Sequence, residues 1–146
     1  MKQVAVGIIL KDGHVLACQR KHDARYPLKW EFPGGKLEDG ETGVQAVIRE
    51  LQEELQITAT VDRELHRQEW IYSDGTADSR EDGAFRVFYF LIRTFSGTPM
   101  NRAFEQIRWV KPRDLTSMDI LEGNRKAVDI LVRNENRIFG TTDRVI

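Results

Sequence analysis

Between Gly35 and Ile57 the chain reads GKLEDGETGVQAVIRELQEELQI, and this stretch constrains the fold more than any other. From Thr42 onward the apolar residues Val44, Val47, Ile48, Leu51 and Leu55 recur at intervals of three and four, which predicts an amphipathic helix with that stripe turned to the core. Positions three and four apart stack on a helix, so Glu50, Glu53 and Glu54 crowd into the neighbouring sector. Two carboxylates about 5 Å apart repel by roughly 3 kcal/mol at an effective dielectric near 20, and a third multiplies the problem. The cluster therefore requires raised pKa values, full solvent exposure or a bound cation. Oxygen donors without cysteine or clustered histidine favour a hard ion, Mg²⁺ or Mn²⁺, and Mg²⁺ commonly binds substrate phosphates as well. Arg49 can partly neutralise the cluster through its rigid fork, and Glu41 can use the first-turn amides or reach back to Arg49. The alternative is an acidic helix face with ordinary surface charges.

The rest of the chain reads as strands around this helix. Val4 to Leu10 and Val15 to Gln19 are apolar and β-branched, and Lys11-Asp12-Gly13-His14 between them supplies turn chemistry, so the chain opens with a hairpin. Trp30 to Phe32 is a short extended piece ended by Pro33, and Gly34-Gly35 turn it toward the helix. Glu64 to Tyr72 and Phe85 to Ile92 read as strands, separated by a polar loop from Ser73 to Ala84. Ile107 to Val110 is another strand, and Arg125 to Asn134 carries Ala127, Val128 and Leu131 at helical spacing. Phe88, Phe90 and Trp109 read as sheet residues facing the core. Mixed strands with one helix in the middle and one near the end predict an α/β or α+β sandwich of helices against a mixed sheet.

With 146 residues and no linker, the chain reads as one domain, 1–146. The net charge of −1 gives no broad positive field for a long nucleic acid, whereas a small anion needs only local cations and amides. Cys18 is the only cysteine, which excludes an intramolecular disulfide and a cysteine-based metal knuckle. The first apolar run is too short to span a bilayer and soon meets charge, so a cytoplasmic protein without membrane contact is expected. Monomer and homodimer are both open.

The segment from Gly35 to Ile57 resembles the signature of the Nudix hydrolases: a glycine, then a glutamate, then Arg-Glu-aliphatic-x-Glu-Glu and a final aliphatic residue. Gly35, Glu41, Arg49, Glu50, Leu51, Glu53, Glu54 and Ile57 fill those places in register. One position departs, since the glycine usual after the double glutamate is Gln56 here, expected to cost about 1 kcal/mol at a left-handed helix end or to lengthen the helix. The resemblance implies a Nudix-type α/β/α sandwich with a mixed central sheet and hydrolysis of a nucleoside diphosphate linked to another group. It makes Glu50, Glu53 and Glu54 metal ligands for Mg²⁺, with Mn²⁺ possible, adds the Gly34 carbonyl as a further ligand, and makes Arg49 the orienting arginine. Glu41 takes a supporting place.

Trp30-Glu31-Phe32-Pro33-Gly34-Gly35-Lys36 is similar to the MutT-like branch, whose members convert nucleoside triphosphates, often oxidised purine nucleotides such as 8-oxo-dGTP, to monophosphate and pyrophosphate. The same resemblance puts Arg20 near the base, with a solvated surface arginine as the alternative. It gives Asn124 the purine edge, where a side-chain amide offers a donor and an acceptor together, with a plain helix N-cap as the alternative. Glu105 matches the loop glutamate that binds metal or accepts the proton from water, although a loop glutamate is ordinarily a surface group. Tyr26, Trp30 and Phe32 can wall the base or join the core. Asp119 lies nearby without a firm place in the pocket. Two other readings stay open: a CTP, dCTP or other pyrimidine nucleotide pyrophosphohydrolase, and a non-catalytic nucleotide-sensing domain, which the intact set Arg49, Glu50, Glu53 and Glu54 disfavours.

Overall fold

A computed structural model of the protein describes residues 1–72 and 83–140. Strands β1 (Lys2–Lys11) and β2 (His14–Gln19) form the expected hairpin. Asp12 and Gly13 both take positive φ, 51° and 77°, as the two-residue turn that matches strand twist requires. β1 is the spine of the sheet. Along one edge it pairs in parallel with β6 (Gly83–Ser96) from Lys2 to Ile9. Along the other edge it meets β4 (Gly34–Lys36) at Val4–Val6 and β2 at Leu10–Lys11. β2 goes on to pair with β3 (Trp30–Glu31) and β7 (Gln106–Val110), while β5 (Thr58–Tyr72) lies antiparallel along the outer side of β6. The main order is β3-β2-β1-β6-β5, a mixed sheet as expected.

The alternation of β1 assigns the two faces. Ala5 and Ile9 pack with Ala46, Val47, Leu51 and Leu55 of α1 (Gly43–Leu55). Val6, Ile8 and Leu10 pack with Ala127, Val128 and Leu131 of α2 (Arg125–Arg133) and Ile138 of α3 (Glu135–Ile138). Gly7 sits beneath α1, where an added Cβ would come within 3.0 Å of Leu51 Cδ1. Its lack of a side chain lets the carboxylate helix lie close to the sheet. Burying a leucine of this kind stabilises the fold by about 1.5–3 kcal/mol, so the helix is held chiefly by its stripe.

Helix α1 starts where its cap dictates. The Thr42 hydroxyl accepts from Gln45 N at 3.1 Å and the Gln45 side chain accepts from Thr42 N at 2.9 Å, a reciprocal capping box. Val44, expected in the core stripe, is 41% exposed because it lies in this first turn, and Ala46 is buried in its stead. Phe90 is buried as expected. Phe88 and Trp109 are only half-buried, Phe88 lying between Phe90 and the Arg67 guanidinium and Trp109 stacking on Phe95. β5 and β6 run well beyond their expected bounds. The polar loop expected from Ser73 falls, at 73–82, outside the described residues.

At the end of α1, Gln56 adopts φ 57° and ψ 36°, a left-handed cap whose N–H donates to Gln52 O at 3.0 Å. The helix is therefore not lengthened; a side chain occupies a conformation that glycine takes freely. Since Gln56 is exposed, Gln56→Gly is expected to raise unfolding free energy by about 0.5–1 kcal/mol, read as a shift in denaturation midpoint at constant slope. An unchanged midpoint would contradict this account of the cap.

Candidate active site

The glycine turn and the carboxylate face of α1 meet because β4 is pinned between β1 and the helix. Gly34 N donates to Glu54 Oε1 at 3.0 Å, and Arg49 Nη2 donates to Lys36 O at 3.1 Å. A Cβ on Gly35 would collide with the Glu50 carboxylate, and one on Gly34 would collide with the β1 backbone at Ala5 and Val6. Two adjacent glycines thus serve two purposes, one admitting a carboxylate and the other admitting a strand.

Arg49 distributes its donors over three glutamates. Glu41 takes the best of them, with Nε to Oε2 at 2.7 Å and Nη2 to Oε1 at 2.9 Å, while Nη1 reaches Glu50 at 3.1 Å and Glu53 at 3.3 Å. The Arg49 fork and the Glu38 amide hold the Glu41 carboxyl down at about 2. Glu50 and Glu54 behave oppositely. Burial pushes Glu50 up against the pull of Arg49. Burial, followed by the charges of Glu50 and Glu31, pushes Glu54 up to about 9 despite its bond from Gly34.

Among the described residues no three acidic, histidine or cysteine side chains converge as they stand on a metal-sized point. Arg49 holds Glu50 and Glu53, and Glu54 is turned to Gly34. The donor chemistry nevertheless fits a hard divalent cation: it is all-oxygen and acidic, and burial raises the pKa of both Glu50 and Glu54, a cost that a bound cation would offset.

A cavity of about 240 Å³ opens beside Glu54 and the glycine turn. Its lining includes the expected Arg20, Tyr26, Phe32, Gly34 and Asn124. Pockets that bury whole drug-sized ligands hold about 300–1,000 Å³, so this one accommodates a base and leaves attached phosphates over the carboxylates. Arg20 is not a solvated surface group: its Nη1 pairs with Glu31 at 3.3 Å with both side chains 17% exposed, and its Nε donates to Arg25 O at 2.7 Å. Asn124 heads α2, but its side chain makes no capping bond. It is buried, its Oδ1 accepting from Phe32 N and its Nδ2 donating to the Tyr89 hydroxyl, each at 3.2 Å.

Glu105 stands apart. Its carboxylate accepts from His22 N at 3.1 Å and lies 3.2 Å from His22 Nδ1, contacts that hold its pKa below the usual range. It does not line the cavity. Trp30 is in the core beneath the Arg108 guanidinium, and Asp119 pairs with Lys29 at 2.8 Å on the surface. Cys18 is buried, and burial pushes its thiol well up, so it supplies no nucleophile. The sequence reading did not single out Glu31, Tyr72 and Tyr89, which also line the cavity. Glu31 was visible as a charged residue in an otherwise apolar extended triplet and as part of the Trp30–Lys36 segment, with no role attached to it.

Among the described residues no helix is long and apolar enough to cross a membrane. Comparison with known proteins places this geometry in context. The NUDIX domain family matches residues 1–131. The 8-oxo-dGTP diphosphatase of Escherichia coli K12 is 32% identical over 132 residues, covering 90% of this chain and 96% of that protein. The CTP pyrophosphohydrolase of the same organism is 38% identical over 117 residues, covering 78% of each. The crystal structure of a MutT NUDIX hydrolase from Burkholderia pseudomallei superposes with a TM-score of 0.76 at 26% identity, covering 89% of this chain and 97% of that one. With the box residues in register on α1, and the family match running from the first strand into α2, the chain belongs to the Nudix hydrolase family.

Proposed function

We propose that the chain acts as one domain, 1–146, and hydrolyses nucleoside triphosphates to monophosphate and pyrophosphate with Mg²⁺, Mn²⁺ being a possible substitute. Its preferred substrate is 8-oxo-dGTP or a related nucleotide of the cytoplasmic pool. The observation that carries this reading is the continuity of the carboxylate face with the cavity through Glu54 and the glycine turn. Relatives acting on 8-oxo-dGTP and CTP support the substrate class.

Glu50, Glu53 and Glu54, with the Gly34 carbonyl, would hold the cations. These, when bound, neutralise the phosphates and lower the pKa of an attacking water. Arg49 keeps Glu50 and Glu53 oriented while Glu41 anchors Arg49 from behind. Glu105, ionised at neutral pH through its His22 contacts, is the proposed further ligand or proton acceptor from the loop. Phe32 and Asn124 bound the base, and Arg20 holds Glu31 at its rim. Attack falls on the β-phosphorus, with the monophosphate as leaving group.

A panel of 8-oxo-dGTP, dGTP, dCTP and CTP with Mg²⁺, resolving pyrophosphate from orthophosphate, tests this directly. Pyrophosphate and monophosphate should appear, with kcat/KM for 8-oxo-dGTP about tenfold or more above that for dCTP. Release of orthophosphate, or of nothing, would refute the reaction. The 38% identity to the CTP enzyme favours a second reading, a pyrimidine nucleotide substrate, which a reversed ratio would establish.

A further inference from the structure

The Asn124 amide lies between two partners that fix which way round it sits. Phe32 N–H can only donate, so the atom facing it at 3.2 Å is the amide oxygen. On the other side the Tyr89 hydroxyl has a single proton, which it donates to Gly123 O at 3.1 Å, so it can only accept from Asn124, and the atom facing it is the NH₂ group. Gln68 Nε2 donates to the same Gly123 carbonyl at 2.8 Å, and His66 bonds Gln68 at 2.8 Å while stacking on the Tyr89 ring at 5.8 Å. Tyr89 is fully buried, and burial pushes its pKa up, so the hydroxyl stays neutral throughout the working pH range.

We propose that Tyr89 is a positioning residue that fixes the Asn124 amide so that one N–H and one oxygen lone pair face the cavity in a set order, selecting a base edge with a matching acceptor and donor. This rests on the base-binding reading above. An 8-oxopurine with a 6-oxo group presents such an edge, O6 accepting and N7–H donating. On that side of the base unmodified guanine offers two acceptors, and cytosine has no five-membered ring; its own acceptor and donor, N3 and the N4 amino group, lie on the pairing edge of the pyrimidine, in a different place relative to the sugar. The hydroxyl acts through Asn124 and need not touch the base.

The test is Tyr89→Phe, which keeps the ring and its packing, with metal-free binding of 8-oxo-dGMP and dCMP measured by calorimetry. Loss of one neutral hydrogen bond is worth about a five- to tenfold change, so preference for 8-oxo-dGMP over dCMP is expected to fall about five- to tenfold. In an Asn124→Ala background the same substitution should leave the remaining ratio unmoved. The ¹⁵N side-chain amide signals of Asn124 should shift in the single variant, a change that general loosening of the fold would spread over the molecule. An unchanged ratio, equal weakening of both ligands, additive effects in the double variant, or no binding of 8-oxo-dGMP by the wild type would each overturn the role. Because binding is read without turnover, failure of hydrolysis in the nucleotide panel is a separate result.

Discussion

Glu54→Gln is expected to cut pyrophosphate release by about 10²–10³-fold, or roughly 2.7–4 kcal/mol of barrier, while making the metal-free protein more stable. The opposite signs have one cause. The Glu54 carboxyl sits at about 9 in the fold, against an ordinary value of 4.5, because burial and the charges of Glu50 and Glu31 oppose its ionisation. A raised folded pKa means that the folded chain binds the proton more tightly than the unfolded chain. Its stabilising contribution is complete below 4.5 and is lost progressively as pH rises toward 9. At neutral pH the wild type has lost up to about 3 kcal/mol in this way. Glutamine keeps an oxygen for the Gly34 amide and has no proton to lose. The variant's advantage in melting temperature should therefore be small near pH 4.5 and amount to several degrees at pH 7–8. Added Mg²⁺ should stabilise the wild type and narrow the gap. A variant that retained its rate would remove Glu54 from the proposed cation site, and a gap independent of pH would contradict the raised pKa of its carboxyl.

How much of this was legible beforehand differs by kind of contact. The helix was readable because its signal is local: Leu51 and Leu55 repeat with the turn, and the glutamates follow from the same angular step. The helix end was half legible: the resemblance marked Gln56 as standing where a glycine is usual and left open strain or a longer helix, and only the structure shows the left-handed cap. Strand lengths were less legible. β5 is an edge strand with charged residues on its exposed side, so its pairing with β6 runs through Thr58–Glu64, where the apolar alternation fades. The polar side of the cavity was the least legible. Arg20 meets Glu31 because β2 pairs with β3, and Asn124 meets Phe32 N because the chain before α2 returns beside β3, at Trp30 N–Asp119 O and Leu121 N–Trp30 O. Those encounters join residues far apart in sequence, and no periodicity records them. The resemblance supplied Asn124 as a base reader, whereas the tyrosine that sets its direction emerges only from the assembled sheet.

The neighbouring glycines of the turn offer the sharpest separation of scaffold from chemistry. Gly34→Ala and Gly35→Ala add the same single carbon one residue apart, yet they should fail in different ways. At Gly34 the new Cβ meets the Ala5 carbonyl and lies 2.7 Å from Val6 Cα, backbone atoms of the central strand that cannot yield without parting β4 from β1. Such overpacking against a paired strand is expected to cost about 3 kcal/mol or more. It also displaces the amide that holds Glu54, so stability and activity should fall together. At Gly35 the obstacle is the Glu50 carboxylate, the far end of a side chain that can swing away. The fold should then lose less than about 1 kcal/mol, since β4 keeps its pairing, while turnover drops about 10²-fold because Glu50 no longer faces the turn. Urea denaturation of both variants beside their nucleotide kinetics checks the contrast. Equal loss of stability would mean that the turn reacts as one rigid unit, and an active Gly35→Ala variant would mean that the position of Glu50 beneath the turn is dispensable for catalysis.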